Sequence, residues 1–438
     1  MNKKIASSVI IVGGGWSGLA AAVDLLKAGH HVTLFESAKQ LGGRARCVAF
    51  NQYRVDNGQH LLLGAYKDTL SVLRICGVDL NKVLLRLPLD VSVIDRHGDR
   101  LHLAPGELPS PLNILIAFMT LPGVSLRDRF KTCLFLLKQR ISGFTINRDI
   151  SVRKLLRHQP EKLITMLWEP LCIAALNTSI NDSSARIFLN VLKDSLTQGA
   201  NASDLLIPKV DLGQLFVHPT MQYIDQHGGN YYLGKKIEKI SSSNGKPIVI
   251  DSDGNSYSAD NIILAGSPKS TATLLDNSRL LEQTQKQIQQ LRYEPICTVY
   301  LQYPEDIKLP QPMIGLTNCT GQWIFDRQFC NQPGLMAVVI SASGPHMQLD
   351  KMTLAQIISD ELSDMFGWPD SIKTLVIREK RATFKSHVDV AKLRPANSTS
   401  EHNIWLCGDY TASPYPATLE AAVQSGLQCS QKIIQSMN

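Results

Sequence analysis

No Cys-x-x-Cys pair occurs in this 438-residue chain, although it carries nine cysteines, at 47, 76, 133, 172, 297, 319, 330, 407 and 429. Scattered and odd in number, they argue against a disulfide framework or a cysteine-built zinc site and fit a reduced, cytoplasmic compartment. No metal centre is expected. No internal repeat or low-complexity stretch stands out either. The net charge is only +7, too small an excess to argue for nucleic acid. Near the N-terminus the apolar run Val9–Val12 stops at glycines, too soon for a signal-peptide core.

What remains is a globular chain with 44% apolar residues, long enough for roughly two to three domains. "SVIIVGGGWSGLAAAVDLLKAGHHVTLFES" reads as strand, glycine turn, helix and strand. Leu19, Ala22, Val23 and Leu26 recur at helical spacing, Gly29 ends the helix, and Val32–Phe35 form the second strand. Further on, "KPIVIDSDGNSYSADNIILAG" alternates around an Asp253-Gly254 turn, a hairpin signal, and ends in another strand followed by glycine. "NIWLCGD" at 403–409 is a third. These three elements predict an α/β fold: a Rossmann-like nucleotide-binding domain with a parallel sheet and β-meander, assembled from 1–69, 216–266 and 396–438. Residues 70–215 and 267–395 would form a second, α+β substrate domain.

Gly13-x-Gly15-x-x-Gly18 sits between a strand and a helix, and Glu36 closes the second strand 18 residues after Gly18. A dinucleotide needs this arrangement. Small residues admit its pyrophosphate, the helix N-terminus offers free N–H groups, and a carboxylate takes a ribose diol. Two features favour FAD over NAD: "LGGRAR" at 41–46, and "LCGDYTASPYPATLEAAVQSG" at 406–426. The second is the distant contact that an extended flavin requires. No second glycine fingerprint for a nicotinamide appears, so an external reductant or reductase is expected to supply electrons.

Residues 108–126, "LPSPLNILIAFMTLPGVSL", carry no charge, and "RDRFKTCLFLLKQRI" follows. Pro109, Pro111 and Pro122 argue against a membrane span. Phe130, Cys133, Leu134, Leu137 and Ile141 share a helical face, beside Arg127, Arg129, Lys131, Lys138 and Arg140 with Asp128 as the lone acid. Three readings stay open: a core helix with a solvated basic face, an interfacial helix touching anionic lipid beside a substrate entrance, and, least favoured, a true span.

Together, "GGGWSGLAAA", "GGRAR", "DNGQH" and "GDYTASPYPATLEAAVQSG" resemble the flavin amine oxidase/phytoene desaturase superfamily. "VDNGQHLLLGAY", "LWEPLCIAALNTS" and "LLIPKVDLGQLF" resemble its bacterial hydroxysqualene dehydroxylases, also called squalene-associated FAD-dependent desaturases. The resemblance covers essentially the whole chain. It implies non-covalent FAD with Gly13, Gly15 and Gly18 at the pyrophosphate and Glu36 at the ribose. Gly43 and Arg44 would meet the phosphates, and Ile237 the adenine. Gly408 and Asp409 would hold the ribityl side, with Thr418, Leu419 and Gly58 at the flavin ring. Amine oxidases place an aromatic residue where Thr418 falls here, which disfavours an amine substrate. The implied reaction is reductive removal of the hydroxyl of hydroxysqualene to give squalene, for hopanoid synthesis, by a protein peripheral to the inner face of the cell membrane. An oxidative carotenoid-type desaturase or amine oxidase, and a non-catalytic isoprenoid carrier, are the alternatives. Gln59 and His60 either line the flavin or substrate pocket or pack at a domain interface. His60 and Asp56 are the first candidates for the proton donor, with Glu169, His218, Tyr410 and Tyr415 behind them.

Overall fold

The structure, a computed structural model, describes residues 6–106, 108, 111–199, 201–243 and 245–436. Pro109 lies outside them.

The first strand, β1 (Ser8–Val12), runs through the glycine turn into α1 (Trp16–Lys27) and then β2 (His31–Glu36). Gly29, at φ +88°, ends α1 in the left-handed conformation that a helix C-terminus favours. Three later strands complete a five-stranded sheet: β3 (Asn230–Leu233), β4 (Asn261–Leu264) and β5 (Ile404–Leu406), in the order β3-β2-β1-β4-β5. Every pairing is parallel, with Val9 opposite Asn261 and Ile262 opposite Ile404. The three strand-plus-glycine segments therefore lie side by side. Parallel strands end at one edge, which brings Gly13, Gly266 and Gly408 to the same crevice, where α/β sheets bind ligands. The hairpin at Asp253-Gly254 belongs to an antiparallel meander of 237–243, 246–251 and 256–258.

A seven-stranded mixed sheet forms the other large layer, with 293–302 between 373–384 and 335–341. Helices α2 (Leu112–Met119), α3 (Leu126–Ile141), α4 (Glu169–Leu176) and α5 (Ala185–Thr197) accompany it. The last helix, α6 (Leu419–Ser436), packs on α1. The approach is so close that a Cβ on Gly426 would lie 2.2 Å from the Ser17 carbonyl oxygen. Leu70, Val72, Leu73, Leu84, Leu206 and Leu212 share a core with β1 and α1. Material from 70–87 and 205–215 thus packs on the nucleotide-binding side, because Leu205–Pro208 pairs with Leu62–Leu63 as well as Leu84–Leu87.

Candidate functional site: a cavity from the glycine turn to an apolar arm

The glycines of the turn have separate jobs. At φ +117°, Gly13 needs to be glycine for its backbone, and a Cβ there would come within 2.7 Å of the Ala265 carbonyl. A Cβ on Gly18 would lie 2.1 Å from the Gly13 oxygen. Gly18 is demanded by the packing of α1 on the end of β1, and Gly13 by its own backbone and the close approach of the chain after β4. Gly15 differs: a Cβ there would meet nothing within 4 Å. It is the N-cap of α1, with no side chain capping the helix, so its first N–H groups open onto free space. Beside it the Trp16 Nε1 and Ser17 Oγ atoms are buried without a partner. Unmatched buried donors, a bare helix N-terminus and space above a glycine suit an anionic pyrophosphate. At the end of β2 the Glu36 carboxylate accepts from Gly14 N and Ala38 N, each at 2.8 Å, and it faces the same cavity as Lys235, Lys236 and Ile237.

Arg44 lines the same cavity and is at the same time anchored by the protein. Its guanidinium donates to the Ala382 carbonyl at 2.6 Å and to Asp409 Oδ1 at 2.7 Å. The ion pair ties the segment after β2 to the segment after β5. Asp409, 6% exposed, is thus largely neutralised within the protein. Gly408, at φ +149°, donates its N–H to Ser425 Oγ, and a Cβ there would strike the Tyr410 ring at 2.7 Å. Gly43 faces the Gly15 Cα, 3.3 Å from where a Cβ would stand. Arg394, which sequence reasoning missed, organises the loop after β5. It donates to the carbonyls of Asp409, Ser413 and Tyr415 while lying over the Phe384 ring.

Gly58 lies at φ +137°, and a Cβ there would meet nothing nearer than Thr298 Oγ1 at 3.6 Å. The backbone alone requires glycine, and the space above it belongs to the cavity. Gln59 and His60 both line that cavity. The Gln59 Oε1 accepts from Arg327 at 2.5 Å. His60 Nδ1 lies 2.7 Å from the Gly58 carbonyl. A carbonyl can only accept, so the proton sits on Nδ1 and Nε2 carries a lone pair. Burial, reinforced by the Arg44 charge, holds the His60 pKa below its ordinary 6.5. The imidazole is therefore neutral near pH 7 and is not a ready acid.

Asp56 is not among the cavity-lining residues. It is 1% exposed and turned inward, accepting from Leu212 N at 2.8 Å, in a cluster with Cys47 and Asp211. Burial raises its pKa to about 6. The local cause is the short strand pair of 47–50 and 53–56, whose last residue points to the core while Asn57 and Gly58 reach the cavity. Glu169, His218 and Tyr410 also fall outside the lining. Of the remaining candidates, Tyr415 lines the cavity, and its hydroxyl donates to the Asp194 carboxylate of α5. Burial, then Asp194, raises the Tyr415 pKa, so the phenol keeps its proton. No sequence signal marked Asp194.

Thr418 caps α6, its Oγ1 accepting from Ala421 N at 3.1 Å, and Leu419 lines the cavity. The next residue, Glu420, caps the helix 67–75 through the N–H groups of Asp68 and Thr69. Burial raises its pKa to about 7.

The cavity is continuous, with a volume of about 1180 Å³. That exceeds the roughly 300–1,000 Å³ typical of one small-ligand site. Its far arm is walled by apolar and aromatic side chains, among them Phe118, Trp168, Leu171, Phe188, Trp323 and Phe325.

A parallel sheet between helices and a β-meander, an open glycine turn and a second strand-end contact define a dinucleotide-binding flavoprotein oxidoreductase. The family model for flavin containing amine oxidoreductases matches residues 16–434, and the chain belongs to that family. FAD is its cofactor. The chain is 26% identical to the hydroxysqualene dehydroxylase of Sinorhizobium fredii over 98% of its own length and 99% of that protein. It is 24% identical to the zeta-carotene desaturase of Synechocystis, covering 97% of each. The solved structure of cyclohexylamine oxidase from Brevibacterium oxydans superposes with a TM-score of 0.73 at 15% identity, over 99% of both chains. That likeness concerns the fold.

Proposed function

We propose that this enzyme removes the hydroxyl of hydroxysqualene reductively, releasing squalene and water, in the isoprenoid chemistry that leads to hopanoids. One observation carries the reading: a single cavity joins the open glycine turn to a long apolar arm. The full-length similarity to a protein named hydroxysqualene dehydroxylase supports the same choice. Bound reduced FAD would supply the hydride, with Gly13, Gly15, Gly18 and Glu36 framing its nucleotide end and Gly58, Thr418 and Leu419 its ring end. The step balances when one hydride forms the new C–H bond and one proton leaves with the hydroxyl as water, so two electrons and two protons are consumed per turnover. The electrons would come from an external donor.

The chain's own contribution is to orient the substrate, exclude water and hold a proton. Leaving of an allylic hydroxyl creates positive charge on the hydrocarbon. The π faces of Trp168 and Trp323 can stabilise that charge where bulk water would intercept it. The Tyr415–Asp194 pair reaches the cavity, and the Tyr415 O–H, once turned from Asp194 to the substrate, would be the donor to the leaving hydroxyl. Asp56, buried elsewhere, and neutral His60 are less suited. We place the enzyme on the cytoplasmic side of the membrane.

The zeta-carotene desaturase relative makes oxidative desaturation the competing reading. Chromatography of products from hydroxysqualene and from squalene, with the flavin reduced in one arm and oxidised in the other, separates the two. Squalene formed from hydroxysqualene only in the reduced arm supports dehydroxylation. A conjugated polyene formed in the oxidised arm overturns it. No conversion in either arm points to a carrier.

A further inference from the structure

Among the described residues, thirteen large apolar side chains are exposed, and nine lie between 108 and 141. Helix α3 carries five of them: Leu126, Phe130, Leu134, Leu137 and Ile141, with Leu126 70%, Phe130 57% and Ile141 87% exposed. At about 100° per residue these five fall in one narrow arc. Cys133, Leu136 and Gln139 are the buried side. The apolar stripe therefore points away from the protein. The core-helix alternative fails here, because only Cys133 of the expected face turns inward. Leu112, Ile116 and Met119 extend the surface across α2.

Charge identifies the occupant. Arg127, Lys131 and Lys138 occupy the neighbouring arc of α3 and are exposed. Lys131 has a carboxylate within 4 Å, Asp128 at 3.8 Å. An exposed apolar stripe flanked by cations fits a bilayer surface with anionic headgroups, where apolar side chains enter the acyl boundary and lysines and arginines meet phosphates. No described helix is long and apolar enough to cross a membrane. We propose that α2 and α3 together form a docking surface for anionic lipid bilayers, and that the seam between them is a portal into the cavity.

The portal follows from a small hollow between the two helices, lined by Pro111, Leu115, Leu137 and Phe144 among others. Ile114, Leu136 and Leu196 line both this hollow and the main cavity. Three side chains thus stand between the lipid-facing surface and the apolar arm. An apolar substrate could pass from bilayer to cavity without crossing water. The portal rests on the proposed substrate class; the docking surface does not.

Flotation of the FAD-loaded protein with vesicles of phosphatidylcholine and phosphatidylglycerol tests the docking. The parent floats, and less so at high salt or on phosphatidylcholine alone. Combining Phe130→Glu, Leu134→Glu and Ile141→Glu lowers vesicle affinity at least tenfold, with the melting temperature and flavin spectrum of the parent retained. Met352→Glu with Ile372→Glu, at exposed apolar positions elsewhere, floats like the parent. A parent that stays at the bottom, or a triple variant that floats equally well, overturns the proposal. So does a parent dimer that the triple variant turns into monomer without either binding vesicles, since the surface would then serve a second copy. For the portal, the triple variant keeps turnover of hydroxysqualene dispersed in detergent and loses most turnover of hydroxysqualene held in vesicles. Equal loss in both overturns the portal. A parent inactive in both formats that still floats refutes the substrate assignment and the portal with it, and leaves the docking surface standing.

Discussion

At Gly15 and Gly18 a glycine requirement separates into two causes. Gly18 is hemmed in by the protein's own backbone at 2.1 Å, so Gly18→Ala forces strand and helix apart and costs about 1–3 kcal/mol of stability. Gly15 faces free space at an ordinary φ of −74°. Gly15→Ala leaves the melting temperature of the apoprotein unchanged and weakens FAD binding at least tenfold, as calorimetry of both forms can show. Equal losses of apoprotein stability would mean that the space at Gly15 is not the cofactor's. Asp56 makes a second test, through pH. Its folded pKa of about 6 stands above the ordinary 3.8, so the folded chain holds this proton more tightly than the unfolded one. That stabilisation is complete below about pH 4 and lost as pH rises through 6, a difference on the order of 3 kcal/mol. Asp56→Asn keeps an acceptor for Leu212 N and removes the buried charge. Its stability relative to the parent should rise between pH 4 and 7 and level off above, in denaturant titrations. A parent that is more stable at pH 8 would show that Arg327 compensates the charge. Tyr415→Phe removes the O–H offered to the leaving hydroxyl and should lower turnover about 10²-fold at unchanged flavin content. Unchanged turnover would exclude Tyr415 as the donor.

Among the elements, those with local causes were legible and those with distant ones were not. The β1-α1-β2 unit was readable because its apolar strand runs, glycines and helical spacing lie within about thirty residues. The hairpin at Asp253-Gly254 was readable for the same reason. Arg44 and Asp409 are 365 positions apart, and no pattern in either segment reveals that they satisfy each other. Asp194 gave no signal, since an acid on an amphipathic helix looks like any solvated residue until Tyr415 is placed against it. Helix α3 shows the limit of periodicity: the stripe was visible, but its outward direction was not, because spacing fixes which residues share a face and packing fixes where that face points. The cap of α6 can be tested directly. Thr418→Ala removes the acceptor for Ala421 N and should cost about 1 kcal/mol in a denaturant midpoint, with Thr418→Ser recovering most of it. No loss would show that α6 is held by its packing on α1 alone.

Across the whole molecule, parallel pairing gathers glycines from near 13, 266 and 408 at one sheet edge, and the mixed sheet and helices build an oily arm onto that crevice. This division suits a cofactor that carries electrons and a hydrocarbon that must be kept from water. It is also common to reductive and oxidative members of the family, so fold and cofactor leave the direction of electron flow open. The direction can be seen in the flavin itself. Holoprotein is reduced without oxygen, freed of excess reductant and mixed with hydroxysqualene while the visible flavin spectrum is recorded. Dehydroxylation predicts the return of the yellow oxidised flavin with one squalene formed per flavin. A reduced spectrum that stays bleached, alongside oxidised holoprotein that bleaches when given a C30 hydrocarbon, would contradict it.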